Sequence, residues 1–108
     1  MDILPRGISV TGFVYLIKCN EFVKIGVAVN AQLRIRDMQI GNPYELVLLK
    51  SYPSPVPYED EENLHCILER YRVRGEWFKL PQDIVDMLLC LEHLGDVDQK
   101  DFPTVGGP

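Results

Sequence analysis

The sequence lacks a hydrophobic run of the roughly 18 to 20 residues that a membrane-spanning helix needs. Its first residues, which include Asp2 and Arg6, also lack the apolar stretch of a signal peptide. We therefore expect a cytoplasmic protein with no membrane contact. Cysteine is scarce, since Cys19, Cys66 and Cys90 are widely spaced and form no CxxC pair. This spacing predicts neither a disulfide framework nor a zinc site.

An excess of basic charge is also missing. The 108 residues include 11 Lys and Arg against 16 Asp and Glu, which gives a formal net charge of −5. This balance excludes a protein that coats nucleic acid through overall positive potential. The charge is uneven, because residues 1–50 contain six basic and four acidic residues, whereas the remainder contains five basic and twelve acidic ones. We expect an anionic ligand to bind a surface built mainly from the first half.

Residue patterns predict a single α+β domain. Two runs rich in β-branched and aromatic residues, at 12–18 and 22–27, predict a β-hairpin. Asn30 is a suitable N-cap for a helix that ends near residue 40, and 46–52 predicts a third strand. A second helix is predicted at 58–71, an extended segment at 76–80 and a last helix at 81–94.

The domain organisation follows from these elements. Residues 8–80 are predicted to form one domain, and 81–95 a C-terminal helix that packs on it or on a partner. The apolar residues of that helix cover more of its surface than one buried stripe needs, so we include a homodimer contact among the expectations. Residues 96–108, with acidic residues, prolines and glycines, are predicted to be a mobile tail.

Four side chains form a candidate site for chemistry on a phosphodiester. Tyr15 and Lys24 lie on the predicted hairpin, Arg34 beside the apolar stripe of the first helix, and Glu61 beside that of the second. Together they supply a carboxylate for a divalent cation, a guanidinium for a phosphate, and two groups that handle a proton. Each placement alone is also common in domains without a catalytic site, as a core edge or a surface ion pair.

The order of these residues resembles the GIY-YIG nuclease superfamily across residues 12–80. Phe13-Val14-Tyr15 resembles its first tripeptide, and Lys24-Ile25-Gly26 resembles its second, with lysine in place of tyrosine. Arg34 follows Gly26 by eight residues, as the helical arginine of the family does, and Gly41-Asn42-Pro43 resembles the turn after it. Glu61 with the following ENLHCILERYRVRGEWF resembles a phage and bacterial branch with an E-x-x-x-H step and a closing GEWF.

The resemblance implies a small central three-stranded antiparallel sheet flanked by helices, with the active site on one sheet face. It implies a DNA endonuclease or nickase that uses a single Mg²⁺ or Mn²⁺ ion. In family terms Glu61 binds the metal, Arg34 stabilises the scissile phosphate, and Tyr15 acts as general base or orients the attacking water. Lys24 takes the place of the second tyrosine, and its ammonium is expected to lower the pKa of Tyr15. His65 and Glu76 match site-proximal positions.

Two other functions stay open at this point. Met38 stands where several nucleases of the superfamily carry a histidine, and the net charge is acidic. These features fit a catalytically weak DNA-binding or regulatory module. A phage-encoded inhibitor that binds a host protein through the C-terminal helix is the other alternative. For a nuclease, the absence of an appended DNA-binding motif from the sequence leaves specificity to DNA structure, to loops or to a protein partner.

Overall fold

The computed structural model describes residues 3–4, 8–95, 97 and 102. Within these residues the main sheet has five antiparallel strands in the order β5–β3–β4–β7–β6. A separate pair, β1 (Ile3–Leu4) and β2 (Ile8–Ser9), precedes it. The five strands are β3 (Gly12–Cys19), β4 (Phe22–Ala28), β5 (Leu46–Ser54), β6 (Arg72–Arg74) and β7 (Trp77–Phe78). The helices are α1 (Ala31–Gln39), α2 (Pro57–Ile67) and α3 (Gln82–Cys90).

The expectation of a three-stranded sheet is wrong, although the α+β class agrees with the structure. The GEWF segment does not end beside the sheet but joins it, because Trp77 pairs with Lys24 and Phe78 with Val23 on the outer edge of β4. β6 then pairs with β7 and becomes the edge strand. Strands of three and two residues are too short for an alternating hydrophobic pattern, so periodicity could not reveal them.

Helix boundaries differ modestly from those predicted. Asn30 caps α1 as expected, since its side-chain oxygen accepts the Leu33 backbone N–H at 3.0 Å. The second helix was expected to continue to residue 71, but α2 ends at Ile67 and a 3₁₀ turn follows at Glu69–Tyr71. α3 ends at Cys90 rather than near residue 94.

The two faces of the sheet are covered by different helices. Val14 and Leu16 of β3 belong to the larger core, which also contains residues of α2 and α3. The alternate residues Tyr15 and Ile17 belong to a smaller core with Ala31 of α1. Because successive strand residues point to opposite faces, α1 lies on one side of the sheet while α2 and α3 lie on the other.

α3 is anchored within its own chain. Ile84 and Leu88 are buried in the larger core, and the Tyr52 hydroxyl donates a hydrogen bond to the Leu88 carbonyl. Full burial of a leucine or isoleucine side chain is worth roughly 1.5 to 3 kcal/mol, so this contact alone holds the helix in place. Nothing in the structure supports a homodimer through α3. None of the described helices is long and apolar enough to cross a membrane. The predicted tail lies outside the described residues, except for Val97 and Phe102.

Candidate active site

Tyr15 is held at the centre of the site by a glycine on the neighbouring strand. Tyr15 of β3 is 1% exposed and pairs with Gly26 of β4. Its phenol ring lies over the Gly26 Cα, and a Cβ atom there would overlap the hydroxyl group and its ring carbon. Only glycine therefore fits at residue 26 while Tyr15 keeps this position. The spacing between the two tripeptide motifs thus has a direct steric reason.

Arg34 approaches Tyr15 from helix α1. Ala31 and Ile35 pack in the smaller core with Tyr15, which directs the exposed Arg34 side chain toward the phenol. Burial raises the pKa of Tyr15 above its usual value, and a hydrogen bond with Arg34 lowers it by a smaller amount. A guanidinium group can only donate, so the tyrosine oxygen accepts and the phenolic proton is free to point elsewhere.

The expectation that Lys24 lowers the pKa of Tyr15 is wrong. The net direction for Tyr15 is upward, and Arg34 is the cation that acts on it. The Lys24 Nζ atom lies 3.8 Å from the Glu76 carboxylate and 6.0 Å from the centre of the Trp77 ring. Lys24 thus forms an ion pair with Glu76, the residue directly before β7, rather than acting on the phenol of Tyr15.

Glu61 and Glu76 form a carboxylate pair. Glu61 lies on α2 and Glu76 directly precedes β7, and their side chains share a hydrogen bond. Burial, the Glu76 charge and this hydrogen bond raise the pKa of Glu61 to about 7, while Lys24 acts in the opposite direction. The neighbouring carboxylate disfavours the ionised form of Glu61, and a bound cation would remove this penalty.

The pair sits at an edge of the sheet, not on one face. β7 pairs with β4 only at Val23 and Lys24, and the Ile25 N–H continues the ladder by donating to the Glu76 carbonyl at 2.9 Å. In the described residues no strand pairs with β4 on this side beyond that point. Glu61 reaches this open edge from the far face of the sheet.

The expected arrangement on a single sheet face is therefore wrong. Tyr15, Lys24 and the helix of Arg34 belong to one face, whereas the helix of Glu61 packs against the other. The four side chains still act on one another, since both Arg34 and Glu61 influence the Tyr15 hydroxyl and Lys24 influences Glu61. The structure thus brings the predicted residues together around the β4 edge.

His65 ties α2 to this edge. Its Nε2 atom lies 2.9 Å from the Ile25 carbonyl oxygen, which can only accept, so Nε2 carries the proton in this contact. The imidazole also packs on the Phe78 ring, with 5.1 Å between the ring centres. The salt bridges of the described residues do not include a pair between His65 and Glu61, one turn earlier on α2. His65 instead fixes the helical turn that follows Glu61.

Glu76 has a larger part in the site than its sequence position alone indicated. The sequence pattern marked it only as site-proximal, but it touches both Lys24 and Glu61. The useful signal was the GEWF segment, because a residue that precedes a short strand lies at the end of that strand's pairing. Pairing of this segment with β4 places Glu76 opposite Ile25.

The donor set fits a hard divalent cation bound together with water and substrate. Glu61 and Glu76 offer carboxylate oxygens, and the described residues contain no group of three His, Cys, Asp or Glu that could hold a metal ion. Mg²⁺ commonly uses one or two carboxylates and completes its octahedron with water and phosphate oxygens. Glu61 and Glu76 therefore supply enough protein ligands for Mg²⁺ coordination of this kind.

Comparison with protein families identifies the family of this chain. The family model described as the T5orf172 domain matches residues 12–92, which include every residue of the site above. The chain belongs to the T5orf172 domain family. This phage-associated domain is related to nuclease-type domains of the GIY-YIG and HNH kinds, and it indicates a nuclease-like or DNA-binding function with DNA as the fitting partner. Searches of curated proteins and of solved structures give no match to this T5orf172 domain.

Proposed function

We propose that this T5orf172 domain is a divalent-metal-dependent DNA endonuclease or nickase of the GIY-YIG type. The observation that carries the proposal is the carboxylate pair of Glu61 and Glu76 at the β4 edge, beside the Tyr15 hydroxyl and the Arg34 guanidinium. Lys24 is the one cation beside these two carboxylates in the described residues, and the ionised form of Glu61 is still disfavoured. Such an excess of carboxylate groups supports a site that receives a cation.

Glu61 and Glu76 are the residues that would hold one Mg²⁺ or Mn²⁺ ion. The bound cation would supply Lewis-acid stabilisation of charge on the phosphate. Arg34 binds a non-bridging phosphate oxygen, because it is exposed, permanently charged and already oriented by Tyr15. Lys24 offsets part of the carboxylate charge that would otherwise repel DNA.

Tyr15 is better suited to orient the attacking water than to act as a base. Its raised pKa keeps the phenol protonated at neutral pH, because burial outweighs the effect of Arg34. With its oxygen accepting from Arg34, the hydroxyl proton is available to a water molecule or to a phosphate oxygen. The general-base role would require the phenolate, which this environment disfavours.

The test is incubation of supercoiled plasmid with the full chain and Mg²⁺ or Mn²⁺. We expect conversion to nicked or linear DNA, no conversion by Glu61→Ala, and normal conversion by Glu62→Ala, a matched control on the same helix with an exposed carboxylate. Absence of cleavage with salt-dependent DNA binding would favour the DNA-binding or regulatory module instead. Absence of both would favour the protein-interaction inhibitor.

Two finer features of the proposal concern partners. Specificity supplied by a protein partner fits a domain whose described residues carry no separate DNA-reading element. A homodimer through α3 would need the partly exposed Leu89 side of that helix, since Ile84 and Leu88 are already buried. A solution mass equal to one chain would exclude the dimer.

A further inference from the structure

An uncharged groove lies directly beside the Tyr15 and Arg34 pair. We call it the α1 groove; it has a volume of about 350 Å³ and is lined by Phe13, Val29, Asn30, Ala31, Gln32 and Ser51. Phe13 precedes Tyr15 by two residues on β3, so both side chains point to the same face. Ser51 of β5 is the pairing partner of Tyr15. The groove is therefore continuous with the site.

The groove is also close to Arg34 along the helix. Ala31 and Arg34 are one turn apart, which corresponds to a rise of about 4.5 Å, and the Arg34 backbone N–H donates to the Asn30 carbonyl at 3.1 Å. The groove and the Arg34 guanidinium are thus on the same helix, about one turn apart along its backbone. We propose that the α1 groove is the subsite for the nucleobase next to the phosphate held by Arg34. This inference rests on the proposed function.

The chemistry of the lining favours a base over a second phosphate. All six lining residues are uncharged. Phe13 offers an aromatic face on which a planar base can stack. Val29, which is 80% exposed, offers an apolar rim beside it. A phosphate in the same place would lose water without gaining a cation.

The groove also carries groups that can read a base edge. Gln32 has an amide that donates and accepts, and Ser51 has a hydroxyl. Gln32 is exposed and Ser51 is partly exposed, so both groups can be reached from the groove. The Asn30 side-chain oxygen is occupied by the Leu33 N–H, which leaves its amide nitrogen as a donor. Asn and Gln amides can make paired hydrogen bonds to the edge of adenine in DNA complexes.

The test uses small probes, so that it does not depend on cleavage. Each of the four deoxynucleoside 5′-monophosphates, and deoxyribose 5-phosphate as the probe without a base, is titrated into the ¹⁵N-labelled full chain. We expect the nucleotides to shift the backbone amides of Ala31, Gln32 and Ser51, and deoxyribose 5-phosphate to leave them in place. Binding of the base-free probe should be at least about fivefold weaker, which corresponds to the lower end, about 1 kcal/mol, of what stacking contributes.

Variants separate stacking from edge reading. Phe13→Leu should weaken the binding of all four nucleotides to a similar extent, because it removes the stacking surface. Gln32→Ala should change the order of the four nucleotide Kd values and leave the Kd of deoxyribose 5-phosphate nearly unchanged. Gln82→Ala, an exposed glutamine in the first turn of α3, is the matched control and should change nothing. Gln32 is exposed on a helix, so its alanine variant tests the idea even if Phe13→Leu fails to fold.

The results that would overturn the inference are specific. Identical amide shifts with and without a base, or unchanged Kd values in Gln32→Ala and in folded Phe13→Leu, would exclude a base subsite. These outcomes are independent of the plasmid assay. Base-dependent shifts in the groove without plasmid nicking would contradict the proposed nuclease but support the base subsite. Nicking without these shifts would support the nuclease and contradict the subsite.

Discussion

The carboxylate of Glu61 should cost the protein stability at the pH where the site functions. Burial and the neighbouring Glu76 raise the pKa of Glu61 from 4.5 to about 7 in the folded chain. The folded state therefore binds more protons than the unfolded state between these two values. Stability contributed by the protonated carboxyl is present below pH 4.5 and is lost as the pH rises through about 7.

The size of this effect follows from the same shift. The full difference corresponds to about 3 kcal/mol, but Glu61 is only partly buried, and solvent screening reduces the expected value to about 1 kcal/mol. Glu61→Gln removes the charge, keeps the shape and still donates a hydrogen bond to Glu76. We expect its Tm to exceed that of the unmodified chain by about 4 °C at pH 8 and to equal it near pH 4.

The assay pairs thermal melts at the two pH values with plasmid nicking and DNA binding. Glu61→Gln should abolish nicking while it preserves or slightly improves DNA binding, because a negative charge near phosphate is lost. Glu62→Gln removes an exposed carboxylate on the same helix that acts only weakly on Glu61, so it should leave nicking unchanged and change the Tm by less than Glu61→Gln. A Glu61→Gln protein that melts below the unmodified chain at pH 8 would make Glu61 a structural residue. One that melts higher but nicks at the unmodified rate would refute the metal-ligand assignment.

Three further predictions concern the neighbours of Glu61. Gly26→Ala should displace Tyr15, lower stability by about 1 to 3 kcal/mol and abolish nicking, whereas Gly95→Ala, with open space around it, should change neither Tm nor rate. Arg34→Ala should weaken DNA binding by fluorescence anisotropy and slow nicking, with stability unchanged within about 0.5 kcal/mol because the side chain is exposed; normal binding would contradict its role. Mn²⁺ should raise the Tm more at pH 8 than at pH 6, since it needs ionised Glu61, and should have no such effect on Glu61→Gln.

Much of the fold could be predicted because its signals are local. The alternating residues of β3 and β4 and the Asn30 cap each act within a few positions of the chain. β6 and β7 could not be predicted as sheet strands, because their three and two residues are defined only by pairing across the fold. The end of α2 also depends on tertiary packing. The helix gives way to a 3₁₀ turn at Glu69–Tyr71, next to the buried Leu64 and Leu68.

The candidate site divides in a similar way. The residue types and their order indicated Tyr15, Arg34 and Glu61 as candidates, because the chain order of a motif can be read without knowing the fold. The titration of Tyr15 could not be read, since it depends on how deeply the ring is buried and on which cation reaches it. The partnership of Glu61 with Glu76 was equally hidden, because the two residues meet only where β7 stops pairing with β4.

The lysine in place of the second tyrosine gains a physical reason from that partnership. A tyrosine at residue 24 would leave Glu61 and Glu76 as two carboxylates without a cation on the adjoining strand. The Lys24 ammonium, 3.8 Å from Glu76, offsets one of the two charges, so the ionised pair presents about one net negative charge. In the proposed nuclease, this charge would hold a divalent cation with the help of a DNA phosphate and would repel the DNA less than two free carboxylates. On that proposal, Lys24 and the second carboxylate act together, and the lysine would not be a simple loss of the tyrosine found in GIY-YIG nucleases.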